Sequence, residues 1–181
     1  TMDTRQRFSL SGKEIDKLTR GQLTRLARRG DISGKLAATT VILDLSRVST
    51  DRVIVVGSGA NKRNSDKEFR KMAAAVAETL IKTGAKDAVS YISQDAEIED
   101  RDLYWCCRQE IEVLRDKLFK VEHLQVEPGR HAGKLKRYSI GVGNKEDVPA
   151  TKRAVHDGVA ISNGTDLARG LGNLPPNICT P

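Results

Sequence analysis

Histidines, cysteines and a short acidic run are the residues of this 181-residue chain that could do chemistry. His123, His131 and His156 form no His-Glu-x-x-His pair, and Cys106, Cys107 and Cys179 offer no Cys-x-x-Cys. A metal centre needs several convergent ligands, so none is expected from this chain alone. No Gly-x-Ser-x-Gly elbow presents a serine nucleophile. Cys106 and Cys107 fall inside a helical pattern, where one is expected to face the core and the other the rim, as small hydrophobes rather than reactive thiols. Glu97, Glu99, Asp100 and Asp102 could pair as acid and base. They stand just before a helix, however, where negative charge complements the dipole. Ser58-Gly59, after the run Val53–Gly57, begins like a phosphate-binding turn. The third glycine of a dinucleotide fingerprint would fall at Lys62, so that reading fails, leaving a plain strand-ending turn or a phosphate or ADP-ribose cradle. Among these residues no catalytic constellation takes shape.

Charge suggests a different chemistry. There are 31 Lys+Arg against 24 Asp+Glu, a formal net charge of +7, and the basic residues cluster. Lys17, Arg20, Arg25, Arg28 and Arg29 lie in one acid-free segment, 17–30; Arg130, Lys134, Lys136, Arg137 and Lys145 lie in another, 128–145. Such clusters neutralise phosphates, and Arg28, Arg29, Lys136 and Arg137 are the candidate nucleic-acid contacts. Against this, aromatic residues for base stacking make up only 4%, and a solvated basic face explains the same pattern. No apolar run reaches the length of about 18–20 residues that spans a bilayer, and the first residues lack a signal peptide's apolar stretch. No membrane partner is expected. The odd cysteine count is no disulfide framework, so a reducing, cytoplasmic setting is expected.

The elements that must position these groups alternate. Residues 11–29 fit a helix broken near Gly21 and closed by Gly30. Thr39–Leu45 and Arg52–Gly57 are β-branched runs that read as strands buried on both faces, favouring a partly parallel sheet. Ser65-Asp66-Lys67-Glu68 is a capping box, followed by Phe69, Met72, Val76 and Leu80 at helical spacing and by Gly84 as a stop. Ala88–Ser93 reads as a third strand, and Leu103, Cys107, Ile111, Leu114 and Leu118 as the stripe of another helix. Leu135–Val142 is a fourth strand, and 121–126 is a weaker edge candidate. Asp147-Val148-Pro149 opens a long helix with Pro in its first turn. Val155, Val159, Leu167 and Leu171 mark its apolar side, with Gly158 and Gly164 expected in close packing. Residues 1–8 show no pattern, and Thr1-Met2 reads as an expression remnant. The class is α/β, a mixed sheet with helices on both faces.

The carboxyl end, Asp166-Leu-Ala-Arg-Gly-Leu-Gly-Asn-Leu-Pro-Pro-Asn-Ile-Cys-Thr-Pro181, resembles the junction segment of the leucyl (cytosol) aminopeptidases. There a long helix ends in an Asn-x-Pro-Pro-Asn turn before the catalytic domain. Leu26-Ala-Arg-Arg-Gly-Asp-Ile-Ser-Gly-Lys35, Arg52-Val-Ile-Val-Val-Gly57 and Phe69-Arg-Lys71 agree, so the resemblance runs from Leu10 to Pro181. It implies that residues 1–147 form a non-catalytic, macro-domain-like α/β domain. Residues 148–181 would form the interdomain helix and the start of an absent catalytic domain. That domain would carry two divalent metals, manganese or zinc, which activate a water against the first peptide bond of a peptide substrate. This chain stops before any of the family's metal ligands or catalytic residues, so no cofactor is expected in it and it should be inactive. The resemblance further implies a homohexamer for the whole enzyme and, as in some bacterial members, a DNA-binding accessory role. The family's apolar first strand has no counterpart before Leu10, which implies either an unpaired sheet position open to association or residues omitted from this chain. A stand-alone macro-type ligand-binding module is the alternative reading.

Overall fold

Successive residues of a strand point to opposite faces, and Val55 and Val56 each found a core. In the computed structural model, which describes residues 1–119 and 135–174, they sit in β3 (Arg52–Gly59). β3 is flanked by β1 (Met2–Asp3), parallel to it, and by β2 (Thr39–Leu43), antiparallel. Val55 packs with Met2, Phe8, Ile42 and two residues of α2 (Gln22–Arg29), Leu23 and Ala27. Val56 packs on the other face with Phe69 and Met72 of α3 (Asp66–Thr83), and with Ile92, Ile98 and Cys106. Helices therefore cover both faces of a mixed sheet, the layered α/β class expected. β4 (Asp87–Ser90) and β5 (Arg137–Ile140) form a second, parallel pair rather than extending the first ladder.

Local chemistry sets the helix boundaries. Gly21 and Gly30, both at positive φ, separate α1 (Leu10–Leu18) from α2 and close α2. Both halves of the Ser65–Glu68 capping box form at the start of α3, and Gly84 ends it in the left-handed region. Asp102 accepts from the Trp105 amide at 2.9 Å to start α5 (Leu103–Leu118). No described helix is long and apolar enough to cross a membrane.

Several expectations need correction. Met2 is only 1% exposed, so residues 1–8 hold a short strand and a core residue rather than a patternless lead. β2 is not buried on both faces: it is an edge, and Val41 and Leu43 point outward. The third strand stops at Ser90 because Ile92–Asp95 coils into a single helical turn, α4. That turn aims Asp95 at the start of α1, where it accepts from Ser9 Oγ at 2.5 Å and the Ser11 amide at 3.2 Å. The fourth strand is trimmed to Arg137–Ile140 at Gly141, where Tyr91 lies against the backbone. Both Cys106 and Cys107 are buried, so neither faces a rim. The edge candidate at 121–126 lies outside the described residues.

The largest correction concerns α6 (Val148–Gly172). Its buried face is the small set Thr151, Ala154, Gly158 and Ser162; of the expected apolar side, Val155 and Val159 are half-buried and Leu167 and Leu171 are exposed. A Cβ on Gly158 would lie 3.0 Å from the Arg108 carbonyl oxygen and 3.1 Å from Ile111 Cβ, so α5 and α6 approach closely there. Gly164, by contrast, faces open space.

Candidate functional site

The turn after β3 is the first place to look for a ligand, since loops at strand carboxyl ends collect them in α/β sheets. The two glycine amides that end β3 and lead into this turn are already taken. Gly57 N donates to Ala38 O at 2.8 Å and Gly59 N to Gly34 O at 3.0 Å, while the Gly57 carbonyl accepts from Ala37 N at 2.9 Å. A Cβ at Gly57 would sit 2.0 Å from the Lys35 oxygen. The glycine is there to let segment 34–38 cross the strand end, not to admit a phosphate. The neighbouring helix N-terminus, where an anion would bind, is likewise filled by the chain's own acids. The Ser65 amide donates to Glu68 Oε2 at 2.8 Å, and that backbone bond, with the Ser65 hydroxyl, holds the Glu68 carboxyl below its usual pKa. Arg101 chelates Asp66 at 2.7 Å and lowers its pKa in the same way. Lys62 and Arg63 are exposed.

A polar cluster lies buried between α4, α5 and β5. Glu110, 2% exposed, accepts from the hydroxyls of Ser93 and Tyr138. Burial, and then the Glu110 carboxylate, push the Tyr138 phenol well above its ordinary pKa. Cys107 adjoins the buried hydroxyl of Thr151. Desolvation raises Cys106 to about 12 and Cys107 to about 11, so neither is a thiolate near neutrality. Only a thiolate attacks, which makes these thiols structural. Sequence reasoning missed Glu110 and Ser93. The available signal was that Glu110 stands four residues after Cys106 and three after Cys107, on the helix face that the cysteines bury.

The candidate nucleic-acid contacts fall on separate elements. Arg28 and Arg29 close α2, and Arg29 pairs with Asp31 at 3.4 Å. Lys136 and Arg137 lead into β5 of the other sheet, with Arg137 Nε 3.9 Å from Asp87. Arg130, Lys134, His123, His131 and Cys179 lie outside the described residues. His156 is exposed beside Asp157, whose other oxygen accepts from Tyr104 Oη at 2.7 Å. Among the described residues no group of three or more His, Cys, Asp or Glu converges as metal ligands. Acids on α5 and α6 are tied to arginines, as in Glu112–Arg108 and Asp166–Arg115. The donor set among the described residues does not fit a two-metal site.

Comparison with known proteins supplies what the side chains do not. A protein "Cytosol aminopeptidase" from Haemophilus influenzae is 33% identical over 175 residues, covering 97% of this chain and 34% of its own length. A "Probable cytosol aminopeptidase" from Shewanella loihica is 29% identical over 176 residues, with 97% and 35% covered. The chain thus spans about a third of the length of the curated relatives it matches. Two solved structures share the fold. A mutant of tomato leucine aminopeptidase has a TM-score of 0.71 at 20% identity, covering 100% of this chain and 34% of that one. The bottromycin maturation enzyme BotP in complex with Mn has a TM-score of 0.65 at 20% identity, with 86% and 30% covered. The family model for the N-terminal domain of the cytosol aminopeptidase family matches residues 4–128, and the chain belongs to that family.

Proposed function

We propose that this chain is the non-catalytic N-terminal domain, residues 1–147, and the interdomain helix, from 148, of a metal-dependent leucyl aminopeptidase. The observation that carries the reading is one of extent. The match to the Haemophilus influenzae protein takes in 97% of this chain yet only 34% of the relative, leaving most of the relative for a catalytic domain. The parent would release N-terminal amino acids from peptides in the cytoplasm, as a homohexamer, with two manganese or zinc ions held by residues beyond Pro181. That the BotP structure is a complex with Mn supports a divalent metal there. In this reading the present domain supplies scaffold and assembly surface. Its glycine turn and helix N-terminus are occupied internally, which is why a stand-alone ligand-binding module is the poorer account.

The test is to assay leucine p-nitroanilide with manganese, using the parent and residues 1–181 side by side. Turnover by the parent alone is expected. Metal-dependent turnover by the 181-residue chain, or none by the parent, would overturn the assignment.

A further inference from the structure

Past Ser162 the way α6 is held changes. Up to that point it is seated on α5 through Thr151, Ala154, Gly158 and Ser162. Beyond it, ion pairs take over. Arg115 Nη2 reaches Asp166 at 3.0 Å and Asn163 at 2.7 Å, and Arg169 Nη1 reaches Asp116 at 2.5 Å. Adjacent residues of opposite charge on α5 thus meet the opposite charges on α6. The other side of the same turns is bare. Ala160, Gly164, Leu167 and Leu171 recur at steps of four, three and four, which is one helix face. All four are exposed, Leu167 by 65% and Leu171 by 50%. Single exposed leucines are ordinary. An aligned apolar stripe carrying no charge, on a helix end held from behind, marks an interaction surface.

We propose that this stripe is a docking surface for the domain that comes next in the parent protein. The proposal rests on the reading above that a catalytic domain lies beyond Pro181, and it names the residues by which the two meet. The argument for that occupant is length and place. The tomato leucine aminopeptidase mutant accommodates all of this chain, α6 included, within 34% of its own. The Haemophilus influenzae relative likewise extends well beyond the matched third. The stripe runs to the last turn of α6, at the carboxyl-terminal end of the described residues. Its chemistry asks for an apolar groove or helix face, with the ion pairs to α5 left undisturbed.

The experiment places Leu167→Cys, and separately Leu171→Cys, in the parent and in residues 1–181. Maleimide labelling is followed at each site by peptide mass spectrometry, with Lys67→Cys on the exposed side of α3 as reference. Labelling at 167 and 171 should be slowed by roughly tenfold or more in the parent, independently of concentration, because a docked site labels only through transient opening. In residues 1–181 it should match the reference. Equal rates in both proteins would overturn the proposal. So would slowing that appears in residues 1–181 and vanishes on dilution, which would assign the stripe to a second copy. Leucine p-nitroanilide turnover on the same samples separates the two readings. An active parent that labels fast removes the docking surface and leaves the aminopeptidase. An inactive parent that is protected does the reverse.

Discussion

Replacing Tyr138 by Phe should destabilise the domain by about 1.5–3 kcal/mol, the range for a hydrogen bond to a charged group. The ring stays and continues to pack; only the hydroxyl that donates to Glu110 is lost. Glu110 is 2% exposed, and its other described donor is Ser93. Water is therefore poorly placed to replace the phenol, and the cost sits in the desolvated carboxylate rather than in lost contact area. For a chain of this size each kcal/mol moves the melting temperature by about 2–4 °C, so a fall of roughly 3–12 °C is expected. Urea unfolding followed by circular dichroism should show a lower midpoint at unchanged slope. The decisive control is a double-mutant cycle. In a Glu110→Leu background the hydroxyl has lost its charged acceptor, and Tyr138→Phe should then cost less than about 0.5 kcal/mol or become stabilising. A wild-type-background cost below about 0.5 kcal/mol, or the same cost in both backgrounds, would refute the reasoning.

Gly57→Ala should cost about 3 kcal/mol or more, at the upper end of overpacking effects, because its Cβ would meet the Lys35 backbone oxygen at 2.0 Å; a wild-type melting temperature would refute it. Cys106 and Cys107 should resist a thiol reagent until the chain unfolds. Burial raises their pKa from the thiol value of 9.0 to about 12 and about 11. Their contribution to stability is thus fully present below pH 9 and is lost as pH rises through 11 to 12. The urea midpoint should fall over that window, and less steeply in Cys106→Ala. For DNA, a salt series on the full-length protein should give coincident slopes for wild type and the variant with Arg28, Arg29, Lys136 and Arg137 all changed to Ala. The two pairs lie on separate elements, and Arg29 and Arg137 have acidic neighbours. A slope reduced by several counterions would instead make these residues phosphate contacts.

The features legible in the sequence are local. The Ser65–Glu68 box, the glycines at 21, 30 and 84, and the apolar run of β3 each announce themselves within a few positions, and the structure has each in its expected place. The resemblance at the carboxyl end points to the right family. The features that escape a sequence reading depend on distant partners. The face of α6 that packs carries Ala154 and Gly158, and a hydrophobicity pattern overlooks these; only the closeness of α5 explains them. Leu167 and Leu171, the residues such a pattern selects, point away from the domain. Met2 is buried because β3 offers a parallel edge at Gly57 and Gly59, and nothing in the unpatterned first eight residues reveals that. Glu110 looks like helix surface in the sequence because the hydroxyls from α4 and β5 that make its burial tolerable lie far away along the chain.

The division into two sheets also has a kinetic side. β2 and β3 are consecutive and antiparallel, closed by the Asp44 amide on the Asp51 carbonyl, so their pairing asks for little loop-closure entropy and can form early. β4 and β5 pair Asp87 with Arg137, across all of α5 and the segment after it, and contacts of such separation are slow to form. The Glu110 cluster joins Tyr138 of the late strand to α4 and α5. Its desolvated carboxylate therefore gains the phenol only after the β4–β5 contact is made. Tyr138→Phe should then leave the refolding rate nearly unchanged and accelerate unfolding, the signature of an interaction made after the transition state.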